Sequence, residues 1–266
     1  MVNEQGGRVA IVATAHGPVE YAERGVGPPV LMLHGTPGGY DQGLAVARIL
    51  DLRDYRIITP SRPGYLGTSL AVGRDPLSQA DACAGLLDAL GIHRASILSN
   101  SGGGIIATAF ALAYPERAAR LVLLQSITAR MDIAADDLFR AALLLPLALR
   151  IAPAVLSQSL RRRESRLVGA ALALARSTLP TSLRRAGVLN DSRQISALHA
   201  VSFADIRVPT LLVHGTADRN APYEQSVAAA AALPDARLLT IPGGDHSSVL
   251  FEPRVVAAID DFLRRA

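Results

Sequence analysis

Apolar and polar positions along the chain alternate between two textures, short β-branched or apolar runs and longer alanine–leucine segments. "RVAIVATA" (Arg8 to Ala15) and "VEYAERG" (Val19 to Gly25) flank "HGP" and predict a hairpin, and "PVLMLHG" (Pro29 to Gly35) predicts a buried strand ending at glycine. Further strands are expected at Tyr55 to Pro60, Ala95 to Asn100, Arg120 to Ser126, Pro209 to Gly215 and Ala236 to Pro242. Helical patterns lie between them, roughly at Gln42 to Leu50, Pro76 to Leu90, Gly103 to Tyr114, Tyr223 to Leu233 and Pro253 to Arg265. Strands and helices that take turns build βαβ units, so the expected architecture is α/β: about eight strands, mostly parallel with an antiparallel start, and helices on both faces.

One stretch breaks the alternation. From Arg130 to about Ala204 no strand pattern is found, only helical segments punctuated by Pro146, Pro153, Pro180 and Gly187. The expected organisation is a core domain of residues 1–128 and 205–266 with an inserted helical cap at 129–204. The cap carries eleven arginines against five acids, whereas the whole chain is only +4. Such a run ordinarily forms a solvated face; the alternative is that cap arginines meet a substrate carboxylate. The stripe "AALLLPLALRIAPAVL" is expected either to roof an apolar acyl pocket or simply to pack on the core.

Composition narrows the classes. The 266 residues are 50% hydrophobic and 19% charged, which suits a compact domain and not a disordered chain. Every basic residue is arginine, aromatic residues are 4% and tryptophan is absent, leaving little with which to stack bases, so no nucleic-acid partner is expected. The single Cys83 sits in a buried-helix pattern and no disulfide framework is possible. The N-terminus lacks an apolar signal segment and the longest apolar stretch, Ala141 to Leu149, is too short to span a bilayer, so a soluble, cytoplasmic protein without a membrane span is expected.

In open α/β sheets, ligands bind beyond the carboxyl ends of the strands. The polar, small-residue clusters of this chain all follow strands: "HGTPGG", "SNSGGG" and "HGTADRNAP". A strand that enters a helix through a very tight turn crowds the positions two before and two after the apex, and those need tiny side chains. With Ser101 at the apex the neighbours are Ser99 and Gly103; with Ser99 there, one neighbour would be Ile97. Ser101 is therefore the expected apex.

These motifs, "HGTPGG" (His34 to Gly39), "SNSGG" (Ser99 to Gly103), "GTADRNAP" (Gly215 to Pro222) and "GGDHS" (Gly243 to Ser247), in this order, resemble the α/β-hydrolase superfamily over the whole chain apart from the cap. Ser99 stands where the family's elbow begins with glycine. The resemblance implies an α/β-hydrolase fold and a catalytic triad of Ser101 (nucleophile), Asp218 (acid) and His246 (base), in the chain order this family uses. A serine hydroxyl attacks well only when an imidazole takes its proton, and the imidazole needs a carboxylate to set its tautomer. The resemblance also implies an oxyanion hole from the backbone N–H groups of Thr36 and Gly102. Asp245 is the rival acid, but it adjoins His246 and adjacent side chains diverge. His34 is expected to brace its own loop, and His214 to be a strand-end residue. In "PSRPGYLGTS" Ser61 replaces the family's usual acid and Leu66 is an extra residue; the segment is expected to be structural, with Tyr65 a candidate pocket wall.

The implied activity is a serine hydrolase, carboxylesterase-like, acting on a small-molecule ester or related acyl compound through an acyl-enzyme. The serine apex excludes the aspartate-nucleophile branches. Carbon–carbon bond hydrolases of the MhpC type, proline iminopeptidase-like enzymes and cofactor-free perhydrolases share the triad, although the aminopeptidases need acidic cap groups and this cap is basic. A small-molecule receptor with a slow triad is the non-enzyme alternative. No metal and no cofactor are expected, since neither ligand spacing nor a phosphate loop is present.

Overall fold

A computed structural model of the protein describes residues 6–134 and 165–265. Eight strands form one sheet: β1 (Arg8–Thr14), β2 (Gly17–Arg24), β3 (Pro29–Leu33), β4 (Arg56–Pro60), β5 (Ala95–Asn100), β6 (Ala118–Leu124), β7 (Thr210–Gly215) and β8 (Ala236–Ile241). Their spatial order is β1-β2-β4-β3-β5-β6-β7-β8. The β1–β2 and β2–β4 pairings are antiparallel and all others parallel, as the alternation of patterns implied. The central strands read as unbroken apolar runs because both faces are covered. Successive side chains point to opposite faces: Leu31, Ile97, Leu121, Leu123 and Leu212 enter one core, and Val30, Leu98, Val122, Leu211 and Val213 the other.

Helices α1 (Tyr40–Ile49), α2 (Pro76–Ala89) and α3 (Gly104–Ala113) precede the inserted segment. Asp75 caps α2 by accepting from the Ser78 N–H while the Ser78 hydroxyl contacts the Asp75 carboxylate, with Pro76 in the first turn. The segment between β6 and β7 includes α4 (Ser165–Arg176) and α5 (Arg185–Ser196); α6 (Tyr223–Ala232) and α7 (Pro253–Arg264) follow. The proposed apolar roof and the Arg161 to Arg163 cluster lie outside the described residues. No helix among the described residues is long and apolar enough to cross a membrane.

Two strands stop earlier than their apolar runs suggested. β3 ends at Leu33 because His34 leaves the ladder to bind loop backbone, and β6 ends at Leu124 because Gln125 takes a left-handed φ of +47°. Both breaks fall at the carboxyl edge of the sheet.

The inserted helices are docked closely on the core. α4 runs along α1 and buries Ala170 beside Val46 and Val30. At the start of α5, the Gly187 N–H donates to Gly64 O at 2.9 Å, and a Cβ on Gly187 would overlap the Tyr65 ring. Arg184, only 1% exposed, donates to Gly38 O, Leu179 O and the Asp41 carboxylate. At least this arginine of the basic segment is a buried latch and not part of a solvated face. Leu66, the extra residue, adopts φ +49° and gives its N–H to Leu183 O. Gly187→Ala should therefore overpack the Tyr65 contact and cost about 1–3 kcal/mol of stability, seen as a lower urea midpoint with the far-ultraviolet circular dichroism spectrum retained.

Candidate active site

Ser101 follows β5 directly and begins the tight turn into α3 with φ +51°, a conformation that L-residues avoid unless the surroundings enforce it. The surroundings here are three glycines, each against a different neighbour. A Cβ on Gly102 would strike Thr36, one on Gly103 the carbonyls of Leu33 and His34, and one on Gly104 Ser126 and the Ile127 carbonyl. Ser99, standing where the family has glycine, is fully buried and its hydroxyl contacts Ser126 Oγ at 2.9 Å and Val122 O at 3.3 Å. A serine fits there because both polar partners are within reach.

His246 follows β8, and its Nδ1 lies 2.6 Å from Asp218 Oδ2. Asp218 is 8% exposed, and its other oxygen accepts the N–H groups of Asn220 (2.8 Å) and Ala221 (3.0 Å). Burial by itself would raise the Asp218 pKa, but hydrogen bonds from His214 and His246 and from backbone hold it well below the usual carboxylate range. Asp218 is thus ionised and aims one oxygen at the imidazole. Asp245 is spent elsewhere: its Oδ1 accepts the N–H groups of Ser247 and Ser248, both at 2.8 Å, within its own turn.

With Nδ1 engaged, Nε2 is the imidazole nitrogen left for a reacting group. Ser101 and His246 line the same cleft, of about 390 Å³, without a direct hydrogen bond between their side chains. Such bonds commonly tighten only around substrate. Thr36, Asn100, Asp132 and Arg219 are among its polar lining residues, and Ile127, Met131, Ile133, Leu174, Ile195 and Leu250 among its apolar ones.

Thr36 and Gly102 are neighbours at the elbow: a Cβ on Gly102 would strike the Thr36 side chain and lie 3.6 Å from Thr36 N. Gly102 is in the first turn after the elbow, where N–H groups have no intrahelical acceptor. The Thr36 hydroxyl, whose direction was not readable beforehand, donates to Asp191 of α5. Tyr65 does not line the described cleft. It is fully buried behind the Thr36 loop, with its hydroxyl 2.6 Å from Asp191 Oδ2 and its ring edge-on to His34. The expectation of a pocket wall fails because α5 covers the ring at Gly187. His34 braces: Nδ1 donates to Gly35 O at 2.8 Å and Nε2 accepts the Arg62 N–H at 3.0 Å. Burial, then the nearby Arg62 charge, pushes its pKa well down, which keeps the ring neutral as that pattern requires. Ser61 donates to the carboxylate of Glu20 on β2 at 2.7 Å.

Sequence reasoning missed three supporting residues. His214, read as a strand-end residue, is fully buried with Nε2 2.9 Å from Ala221 O and 3.3 Å from Asp218 Oδ2, while Nδ1 takes the Ser226 hydroxyl at 2.7 Å. The repeated dipeptide "HG" at the ends of β3 and β7 was the available signal. Gln125, at the left-handed end of β6, donates its amide to His246 O. Asp191 carried no signal at all. Since the folded Asp218 has a depressed pKa, its stabilising contribution is complete above the unfolded value of about 3.9 and is lost as pH falls through the folded value. The stability advantage of wild type over Asp218→Asn should therefore narrow as pH is lowered below about 4, measured by urea unfolding across a pH series.

Comparison with known proteins identifies the family. The family model described as "Alpha/beta hydrolase family" matches residues 30–259. Among curated proteins, the uncharacterized hydrolase YcgS of Bacillus subtilis (strain 168) is 36% identical over 124 residues, 46% of this chain and 42% of that protein. Sequence matches of this kind span only about two fifths of those relatives' length. A 2-hydroxymuconate semialdehyde hydrolase of Pseudomonas putida is 29% identical over 263 residues, 92% of this chain and 90% of that one. Among solved structures, an alpha/beta hydrolase fold protein from Nakamurella multipartita superposes with a TM-score of 0.82 at 30% identity, covering 97% of this chain and 99% of that chain. With the sheet order, the elbow and a family match over most of its length, the chain belongs to the alpha/beta hydrolase family.

Proposed function

We propose that the protein is a serine hydrolase that cleaves a carboxylic ester or related acyl compound. The observation that carries this reading is the left-handed Ser101 in the same cleft as an imidazole already paired, at 2.6 Å, with a buried carboxylate. His246 Nε2 takes the Ser101 proton as Oγ attacks the acyl carbon, and the resulting oxyanion is met by the N–H groups of Thr36 and Gly102. Collapse expels the alkoxide, which leaves with the proton from His246. Water then attacks the acyl-enzyme with His246 again as base, releasing the acid and restoring Ser101. Asp218 keeps the imidazole in the productive tautomer and stabilises the imidazolium. The segment at 129–204 acts as a cap over this cleft, and the apolar wall takes the acyl chain.

A second reading is supported by the near-full-length likeness to 2-hydroxymuconate semialdehyde hydrolase: the scissile bond is carbon–carbon, next to a carbonyl that the same triad and oxyanion donors activate. A panel of p-nitrophenyl esters and a 2-hydroxy-6-oxohexa-2,4-dienoate separates the two, by nitrophenolate release in one arm and loss of the conjugated chromophore in the other. A small-molecule receptor with a slow triad would instead give a burst without sustained turnover.

Two outcomes are expected. A fluorophosphonate should label Ser101, identified by peptide mapping, and labelling elsewhere would overturn the mechanism. On the better substrate class, Ser101→Ala and His246→Ala should each lower kcat by about 10⁴-fold or more, with the thermal midpoint near that of wild type.

A further inference from the structure

We infer that Asp191, on helix α5 of the inserted segment, is a positioning residue for the oxyanion hole, so that the aim of the Thr36 N–H depends on how that segment sits on the core. This inference rests on the reading of Thr36 as an oxyanion donor.

Asp191 is 1% exposed, and four donor contacts converge on its carboxylate. Arg62 Nη1 reaches Oδ1 at 2.9 Å, and Arg62 Nη2 and the Tyr65 hydroxyl each reach Oδ2 at 2.6 Å. The fourth is the Thr36 hydroxyl, also on Oδ2. The carboxylate therefore grips the loop after β3 directly through the Thr36 side chain.

It also grips that loop indirectly. Arg62, itself 1% exposed, also reaches that loop: Nε on His34 O at 3.1 Å, and Nη2 on Gly35 O and on Thr36 Oγ1, both at 3.3 Å. Gly35 O further accepts from His34 Nδ1 at 2.8 Å. A trans peptide is planar, with its N–H directed opposite to its C=O. Gly35 O, once held toward Arg62 and His34, obliges the Thr36 N–H of the same peptide to point the other way, toward the elbow at Gly102. Rotation of that peptide would break two hydrogen bonds to its oxygen, and the hydroxyl bond to Asp191 resists the accompanying turn of Thr36.

Stability alone is a poor reason for such a pair. A fully buried arginine–carboxylate bridge loses hydration that its attraction only partly repays, and apolar replacements of similar volume often do as well. What an apolar pair cannot do is hold a carbonyl and a hydroxyl in fixed directions. Substrate entry that required α5 to lift from the core would release Thr36 with it, coupling closure of the segment to formation of the hole.

The test is a double-mutant cycle on the full chain with Thr36→Val, Asp191→Asn and their combination, together with Thr36→Ser and Tyr65→Phe. It is read by the rate constant for fluorophosphonate labelling of Ser101, by kcat and KM on p-nitrophenyl acetate, and by the thermal midpoint. Thr36→Val and Asp191→Asn should each lower kcat and the labelling rate about 10- to 100-fold, with KM changed no more than a few-fold. Their combination should be no worse than the poorer single variant, and Thr36→Ser should recover most of what Thr36→Val loses. Tyr65→Phe, which removes one donor to the same carboxylate but leaves the Thr36 hydroxyl and the Arg62 contacts to Asp191 in place, should lower kcat less than Thr36→Val does. The inference is overturned if Thr36→Val keeps the wild-type labelling rate, or if the two losses multiply. It is also overturned if Asp191→Asn lowers only the thermal midpoint. Should Asp191→Asn fail to fold, the contrast between Thr36→Val and Thr36→Ser decides. Wild type that resists labelling at Ser101 would instead overturn the hydrolase reading, and this one with it.

Discussion

The close approach of the β5–α3 turn to the ends of its neighbouring strands is the constraint on which the rest of this structure depends. Gly103 lies against the carbonyls of Leu33 and His34, and Gly104 against Ser126 and the Ile127 carbonyl, so no side chain fits at either position. Packed this tightly, the turn holds Ser101 at φ +51° and lifts its hydroxyl to the carboxyl edge of the sheet. A left-handed serine costs on the order of 1–3 kcal/mol, which the buried β3, β5 and β6 ladder on either side offsets. Gln125, at φ +47°, is strained in the same way one strand over and supports the His246 loop by its side-chain amide. Two of the four left-handed non-glycine residues among those described, Ser101 and Gln125, thus stand where parts of the candidate triad are aimed.

Electrostatics divide the site into two regions with opposite tasks. Around Asp218, two imidazoles and two backbone N–H groups satisfy a single carboxylate, which stays ionised despite burial. Around Asp191 the same principle is used with stronger donors, an arginine, a phenol and a threonine hydroxyl. Burial raises the Tyr65 pKa well above its ordinary value and the Asp191 charge adds to it, so the phenol remains a donor. The cleft in which acyl chemistry is proposed to occur is lined by Thr36 and His246, each held by one of these carboxylates. Charges fixed in low dielectric act strongly on a developing oxyanion because they need no reorganisation.

The inserted segment is more than a lid resting on a finished core. Arg184 enters the core to reach Asp41 and Gly38 O, Asp191 enters to reach Arg62 and Thr36, and Gly187 admits the Tyr65 ring. Contacts of this kind tie the loops after β3 and β4 to the helices inserted between β6 and β7. An arginine-rich composition concealed this, since charge counts cannot distinguish an arginine in water from one in a pocket of carbonyls.

The order of strands and helices, the apex at Ser101 and the choice of Asp218 over Asp245 were legible in the chain itself. Each depends on local rules: period-two and helical patterning, small residues around a tight turn, and the divergence of adjacent side chains. Element ends at Leu33 and Leu124 were not legible, because the turn of His34 into its loop and the left-handed backbone at Gln125 stop the ladder inside runs that still read as strand. Nor were the partners of the Thr36 hydroxyl, the second histidine on Asp218, or the burial of Tyr65. Thr36 and Asp191 are 155 positions apart, and nothing in either local pattern names the other. Sequence determined which groups this chain has for chemistry and in what order the sheet presents them. Only tertiary packing decided which way those groups point, because direction is set by hydrogen bonds between segments that meet nowhere but in the folded state.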